Sequence, residues 1–389
     1  MPLYIIILSL SLILLLLYII LYWRSYVPVK DAQPQSTNEQ YPGISVIIIT
    51  HDSDSILQHT IDCVANQNYP DFEIVVVNNA SSDNTNDVIK RAAKQYPTLL
   101  RSTHLPQNRN GILHMTIATT LGVRAARKEW IVLLRPNSTP KDGLWLSSIA
   151  DAINQGYDMC IGYNHYYTID KTKWERQATR WYQRRQLLNY RAINRGKRKP
   201  IEACCSNFAF RKQDFMSNGG YGRWLNLPNY HEHLYATTFA TRSNCTMLMQ
   251  LEAQVETILP PIQELWQTEQ QQTRKAYRRL SRATKLRRCY YSVLSILYIL
   301  AALVLILGIA LAMWPLPIDN SASLIGDNCL WLNALPPIPI IAPCAAIVFL
   351  AVSLIHLICK NHCRRRDNKL LNLPLVNDPS YIMENDDSF

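Results

Sequence analysis

Three long apolar runs and a series of short ones divide the chain. Leu3 to Trp23 is almost wholly Leu, Ile and Tyr, and two further runs cover Tyr290 to Trp314 and Pro337 to Cys359. A helix of roughly 20 residues crosses a hydrocarbon core of about 30 Å, so each run predicts a membrane span. Met1-Pro2-Leu3 offers no basic start and no small-residue cleavage site follows, so the first run reads as an uncleaved anchor rather than a signal peptide. Between the first and second runs the period changes repeatedly. Ile44 to Thr50 (ISVIIIT) is a short β-branched run of the kind expected for a parallel strand covered on both faces. Ile56, Leu57, Ile61, Val64 and Ala65 then recur at helical spacing.

The alternation continues. Phe72 to Val77 (FEIVVV) predicts a strand, Ser81-Ser82-Asp83 supplies N-cap candidates, and Val88, Ile89, Ala92 and Ala93 predict a helix. Leu99-Leu100 marks a weaker strand, Thr116 to Ala126 a helix, Ile131 to Leu134 a strand, Leu144 to Ile153 a helix and Met159 to Gly162 a strand. Strands alternating with helices imply a doubly wound, mainly parallel α/β sheet, whose ligands bind beyond the carboxyl ends of the strands.

Charge orders these parts relative to a membrane. Arg24 and Lys30 follow the first run, a cluster from Arg274 to Arg288 precedes the second, and Lys360, Arg364, Arg365 and Arg366 follow the third. The segment between the last two runs has Asp319 and Asp327 but no Lys or Arg. By the positive-inside rule the α/β segment and the tail are expected in the cytoplasm. The expected organisation is an anchor over 1–24, a linker over 25–42 with the polar stretch Asp31 to Gln40, and an α/β domain over 43–275. A basic juxtamembrane segment over 276–289, spans over 290–314 and 337–359, and a tail over 360–389 follow.

The formal net charge of +11 is largely these flanking clusters and Arg176 to Lys199, which argues for topology signals and anionic headgroups and against nucleic acid. The ten cysteines show no CxxC spacing, and Cys204-Cys205 are adjacent, so they are expected as free thiols in a reduced compartment.

The stretches PGISVIIITHDSD, NQNYPDFEIVVVNNASSDNT and EWIVLLRPNSTPKDGLWL, in that order, resemble the family 2 glycosyltransferases, particularly membrane-anchored bacterial ones, over roughly Tyr41 to Lys275. The resemblance implies a GT-A fold, transfer from a nucleotide sugar of UDP or GDP type, and usually Mg²⁺ or Mn²⁺. It implies nucleotide contacts at Thr50, Asn78, Asn79 and Asp83. Asn78-Asn79 stands where the family usually has two aspartates; an amide both donates and accepts, so base recognition can survive, or Asn79 is a strand-end amide satisfying the next turn. Ser81 and Asp83 match the pattern and also suit caps.

The family's metal-binding DxD motif falls on Arg135-Pro136-Asn137. A hard divalent ion bridging a diphosphate needs anionic oxygens; Arg135 offers only donors and Asn137 one neutral carbonyl. Arg135 either neutralises the diphosphate itself or marks a decayed site. Two lysines of related membrane-bound members align with Met115-Thr116.

YHEHL, Tyr230 to Leu234, aligns with the acidic cluster that supplies the general base, so His231 and Glu232 are the base candidates. His231 and His233 as metal ligands are disfavoured, since on a strand they point to alternate sides. SNFAFRKQDF, Ser206 to Phe215, resembles the acceptor side of the pocket, with Gly219-Gly220-Tyr221 as a turn. Gln271 and Arg274 fit the first and fourth positions of QxxRW, with Lys275 in place of the tryptophan, and Arg274 also reads as a membrane-flanking charge. Lys171 to Tyr190 interleaves Trp174, Trp181, Leu187, Leu188 and Tyr190 with arginines, which suits an interfacial helix or ordinary core packing.

The expected function is transfer of a sugar to a cell-envelope glycan or lipid-phosphate acceptor, without the usual metal. The alternative is a non-catalytic relative that acts as partner or scaffold of an active envelope glycosyltransferase.

Overall fold

The short β-branched runs form the centre of one sheet in the computed structural model, which describes residues 3–26, 41–106, 115–167, 172–196, 199–204, 206–224, 231–241, 243–260, 262–277, 282–313 and 338–370. The polar linker, the acidic segment around Asp319 and Asp327, Cys205 and the end of the tail lie outside these residues, as do the side chains of His231, Lys275, Arg287 and Arg288. In chain order the elements are α1 (Leu3–Ser25), β1 (Ile44–Thr50), α2 (Asp54–Ala65), β2 (Phe72–Asn79), α3 (Thr85–Gln95), β3 (Leu100–Leu105), α4 (Met115–Ala125) and β4 (Trp130–Leu134). Then come β5 (Ser138–Pro140), α5 (Trp145–Asn154), β6 (Met159–Gly162), β7 (Asn164–Tyr167), α6 (Lys173–Gly196), β8 (Phe208–Arg211), α7 (Lys212–Ser217) and α8 (His231–Phe239). The chain continues through β9 (Cys245–Leu248), β10 (Val255–Ile258), α9 (Gln263–Tyr277), α10 (Arg282–Met313) and α11 (Ile338–Leu370).

Seven strands pair in the order β3-β2-β1-β4-β8-β6-β9. Every pairing is parallel except the two made by β8, with β4 and with β6. Burial explains the composition. Ile44, Val46, Ile48, Ile74, Val76, Val132 and Leu134 meet Leu57, Ile61, Val64, Val88 and Ile89 of α2 and α3 in one cluster, and burying each such side chain contributes about 1.5–3 kcal/mol. β3 runs further than the Leu99-Leu100 signal predicts. Four of the six residues of its LRSTHL are polar because it is the edge of the sheet, covered less completely than its neighbours.

A second sheet, β5-β10-β7, carries the turn after β4. The two sheets are tied at Asn207, a buried residue with φ +103°, where an L side chain is strained. Its amide nitrogen donates to the Ala253 and Tyr163 carbonyls and its Oδ1 accepts from the Trp145 indole. Its N–H donates to Leu133 O and its carbonyl accepts from Gly162 N–H, both at 2.8 Å. Gly162 is required by this node: a Cβ there would lie 2.0 Å from Asn207 Nδ2.

α1, α10 and α11 belong to a separate compact unit and contain windows long and apolar enough to cross a membrane, at Tyr4–Arg24, Val293–Leu311 and Ala342–Cys363. Leu8, Leu15, Tyr18, Leu294, Ala301, Leu305, Ala342 and Phe349 pack among them. α10 begins at Arg282 and α11 runs on to Leu370, so helix continues beyond the apolar runs into the flanking basic residues, which are good helix formers.

Gly162→Ala is expected to lower stability by about 1–3 kcal/mol through overpacking against Asn207, read as a drop in the unfolding midpoint of the detergent-solubilised protein. An unchanged midpoint would show that the node relaxes freely.

Candidate active site

The carboxyl ends of β1, β2 and β4 lie side by side, and the residues singled out at each end divide into structural and available groups. Thr50 closes β1; its hydroxyl is buried without a hydrogen-bond partner. The chain then turns through Asp52 at φ +44°. At the end of β2, Asn78 Oδ1 accepts from Ser81 N–H at 3.0 Å, so the amide that satisfies the turn belongs to Asn78. Asn79 takes no part in that turn. Its side chain is buried with Nδ2 3.5 Å from Met115 Sδ on α4, and its carbonyl faces His51 Nδ1 at 2.9 Å.

Asp83 binds backbone. Oδ1 accepts from Thr85 N–H at 2.9 Å and Oδ2 from Asp54 N–H at 3.1 Å, joining the first turns of α2 and α3. Asp52 answers from the other side, accepting from Ser82 N–H at 2.7 Å, while Ser53 N–H donates to Thr85 Oγ1. The Ser82 N–H foremost, with His51 and the Asp83 N–H, holds the Asp52 carboxyl below its ordinary value. For Asp83, burial works toward a higher value and the Thr85 and Asp54 donors outweigh it. The β1–α2 and β2–α3 loops are thus clasped by ionised carboxylates at neutral pH.

The turn after β4 is pinned on every side. Thr60 on α2 donates to Pro136 O, Ser138 N–H donates to Arg135 O, and Asn137 donates through Nδ2 to Ile258 O at 2.8 Å while its own carbonyl accepts from Ile258 N–H. Beneath it Ser138 Oγ meets Ser206 Oγ and Thr257 Oγ1 at 2.9 and 3.0 Å. Asn137 is therefore the anchor of the turn. Arg135, part-exposed, places Nη1 3.9 Å from Glu269 Oε1 on α9.

Glu269 is the residue that sequence reasoning missed. Its other oxygen accepts from the Tyr182 hydroxyl on α6, and Tyr182 stacks on Tyr166 of β7 with centroids 3.9 Å apart. Burial foremost, then Cys204 and Tyr182, raise the Tyr166 phenol well above its usual range, with the Arg135 charge opposing them. Beside this stack Arg185 pairs with buried Glu202 at 2.8 Å. Trp266, Glu269 and Thr273, at helical spacing, form the inner face of α9, whereas Gln271 and Arg274 lie on its exposed side. That periodicity was the available signal.

The described part of YHEHL, His231 to Leu234, is helical rather than extended: His231 opens α8 and Glu232 is half-buried in its first turn. His233 Nδ1 accepts from Ala203 N–H at 3.0 Å and is committed to the core. The aromatic residues of α6 pack inward, Tyr182 with Tyr166, Leu259 and Trp266, and Trp174 and Trp181 against them. Among the described residues Cys63, Cys160, Cys204, Cys245, Cys344, Cys359 and Cys363 form no disulfide, and burial pushes the Cys245 thiol up to about 12.

The donor set at the turn after β4 does not fit a divalent ion. A guanidinium stands at the first position of the turn, Asn137 offers one neutral side-chain oxygen, 3.5 Å from Ser138 Oγ, and among the described residues no group of three or more His, Cys, Asp or Glu side chains could hold one.

A mainly parallel seven-stranded sheet with one reversed strand, and a small second sheet carrying the turn after the fourth strand, make up a GT-A fold. Residues 45–219 match the Glycosyl transferase family 2 model, and this domain belongs to that family. The chain is 30% identical over 124 residues to a hyaluronan synthase of Pasteurella multocida, a match covering 31% of this chain and 12% of the relative. It is 27% identical over 108 residues to a poly-beta-1,6-N-acetyl-D-glucosamine synthase of Staphylococcus epidermidis, covering 28% of this chain and 25% of the relative. The match thus spans a quarter or less of either synthase. Among solved structures, a mannosyltransferase of Pyrobaculum calidifontis, determined with GDP-Man and Mn²⁺, superposes with a TM-score of 0.52 at 16% identity over 90% of this chain and 99% of its own.

A part-exposed ion pair such as Arg135–Glu269 is worth about 0.5–1 kcal/mol. Glu269→Gln is therefore expected to tighten UDP or GDP binding by about 2- to 5-fold in titration calorimetry. Unchanged or weaker binding would separate Arg135 from the nucleotide.

Proposed function

We propose that the chain is a membrane-anchored glycosyltransferase that moves a sugar from a UDP- or GDP-type donor to a cell-envelope glycan or lipid-phosphate acceptor, with Arg135 taking the electrostatic part of the usual metal. The observation that carries this reading is the position of Arg135. It follows the fourth strand of a family 2 domain on a turn whose remaining groups are consumed by Thr60, Ile258 and the buried hydroxyls. A guanidinium pairs with two phosphate oxygens at once and stays charged at every physiological pH. As the glycosidic bond to the sugar breaks, negative charge builds on the leaving diphosphate, and a fixed cation there lowers the barrier.

The roles of the other residues follow the same geometry. The orphaned Thr50 hydroxyl and the buried Asn79 amide would meet the nucleoside, while Asn78 and Asp83 shape the loops around it. His231 or Glu232, at the start of α8, would take the proton from the acceptor hydroxyl. Gln271 and Arg274 would contribute only from the outer side of α9. The three apolar helices and the basic residues that flank them support a multi-pass protein of the bacterial inner membrane with its α/β domain in the cytoplasm. The named relatives are synthases of glycan polymers, which supports a glycan or glycolipid product.

A second reading, a non-catalytic partner of another envelope glycosyltransferase, is favoured by one feature: Arg135 already has a counter-charge in Glu269. Membranes carrying the chain, incubated with labelled UDP- and GDP-sugars, distinguish the two. Transfer that persists in chelator and falls about 10- to 100-fold in Arg135→Ala, the loss of a charge-assisted phosphate contact, supports the enzyme. Absence of transfer and of nucleotide binding with every donor, together with an intact transferase co-purifying with wild type and Arg135→Ala alike, supports the partner.

A further inference from the structure

α6 is a helix of 24 residues with two unlike faces. One is core. Ala178, Thr179, Tyr182, Asn189 and Tyr190 are buried, and Arg185 joins them because Glu202 neutralises it. Asn189 locks this face by accepting from Ile201 N–H and donating to Glu202 O. The other face is a line of cations. At about 100° per residue, Lys173, Arg180 and Arg184 fall within about 20° of one another's mean direction, with Arg176 about 60° to one side. All four are exposed and none makes an ion pair among the described residues. The helix contains one acid, Glu175, which is buried and accepts from Thr172.

A line of four cations without ion pairs among the described residues, three of them guanidinium groups at successive turns, attracts a surface of negative charge. Its shoulders narrow the choice of surface. Trp181, Leu187 and Leu188 border the line and are only half-covered, an arrangement suited to the boundary between headgroups and acyl chains, where arginine heads reach phosphate while their stems and neighbouring apolar groups are drawn inward. A soluble polyanion would need the charges and not the apolar shoulders. The chain also carries three helices able to span a membrane, so a bilayer is tethered to this domain at high effective concentration.

We propose that the exposed face of α6 is a docking surface for anionic phospholipid, lying against the headgroups of the bilayer in which the chain is anchored. The site of chemistry at Arg135 does not enter this inference; the helix would dock whether the domain transfers sugar or only binds a partner.

The test uses the full chain in nanodiscs, with an environment-sensitive fluorescent amino acid replacing exposed Gln177 on the charged side of α6. In discs of phosphatidylglycerol and phosphatidylcholine in equal parts, spin-labelled lipid is expected to quench the probe. Quenching should fall several-fold in phosphatidylcholine alone, at high salt, and in the Arg176→Glu, Arg180→Glu, Arg184→Glu triple variant, and survive in the corresponding lysine variant. Equal quenching in both lipid compositions, or none in the anionic discs, overturns the proposal. So does a probe that ignores lipid and responds instead to an added anionic polysaccharide, which would assign the face to a glycan. The lipid comparison is made on wild-type residues, so it stands even if the glutamate variant misfolds.

Discussion

A single positive charge at the carboxyl end of β4 constrains everything around it. Parallel strands deliver their ends to one edge of the sheet, and there Arg135 is offered from a turn held by Thr60, Asn137 and Ser138. A part-exposed guanidinium at that edge needs a counter-charge, and Glu269 on α9 provides one at 3.9 Å. Glu269 is in turn fixed by Tyr182, which stacks on Tyr166. The elements that line this mouth, β4, β7, α6 and α9, are therefore connected through one electrostatic contact and one aromatic stack. On the proposed function, a diphosphate would compete with Glu269 for the same guanidinium, which would couple ligand binding to the position of the α9 carboxylate.

Much of this was legible in the residues. ISVIIIT, FEIVVV and WIVLL are continuous apolar runs because their strands are covered on both faces, and they became β1, β2 and β4. β6 matched its predicted limits. The short strands β5, β7, β9 and β10 were not legible because, unlike MCIG of β6, each is interrupted by polar residues and gains its partners only from the tertiary arrangement. YHEHL read as extended because its polar residues mask any helical period, yet burial of His233, Leu234, Tyr235 and Ala236 goes with a helix from His231 onward.

The site was legible in part and for a definable reason. Motif positions say which residues reach a place in the fold, and Thr50, Asn79 and Arg135 are found at the strand ends as expected. They do not say which polar groups are already spent. Asn78 closes a turn, Asp83 joins two helices, Asn137 holds β10, and only the hydrogen-bond pattern reveals it. Glu269 escaped attention because motif matching placed weight on Gln271 and Arg274, whereas the face of α9 that turns inward is set by Trp266 and Thr273.

The central claim is that a guanidinium has replaced a carboxylate-held cation in a nucleotide-sugar pocket. A high-resolution structure of the full chain soaked with UDP and Mn²⁺ tests it most directly. The account predicts diphosphate oxygens within about 3 Å of the Arg135 guanidinium, Glu269 displaced from it, and no ion between phosphate and protein. A manganese ion ligated by the protein beside the diphosphate, with Arg135 still paired to Glu269, would contradict it.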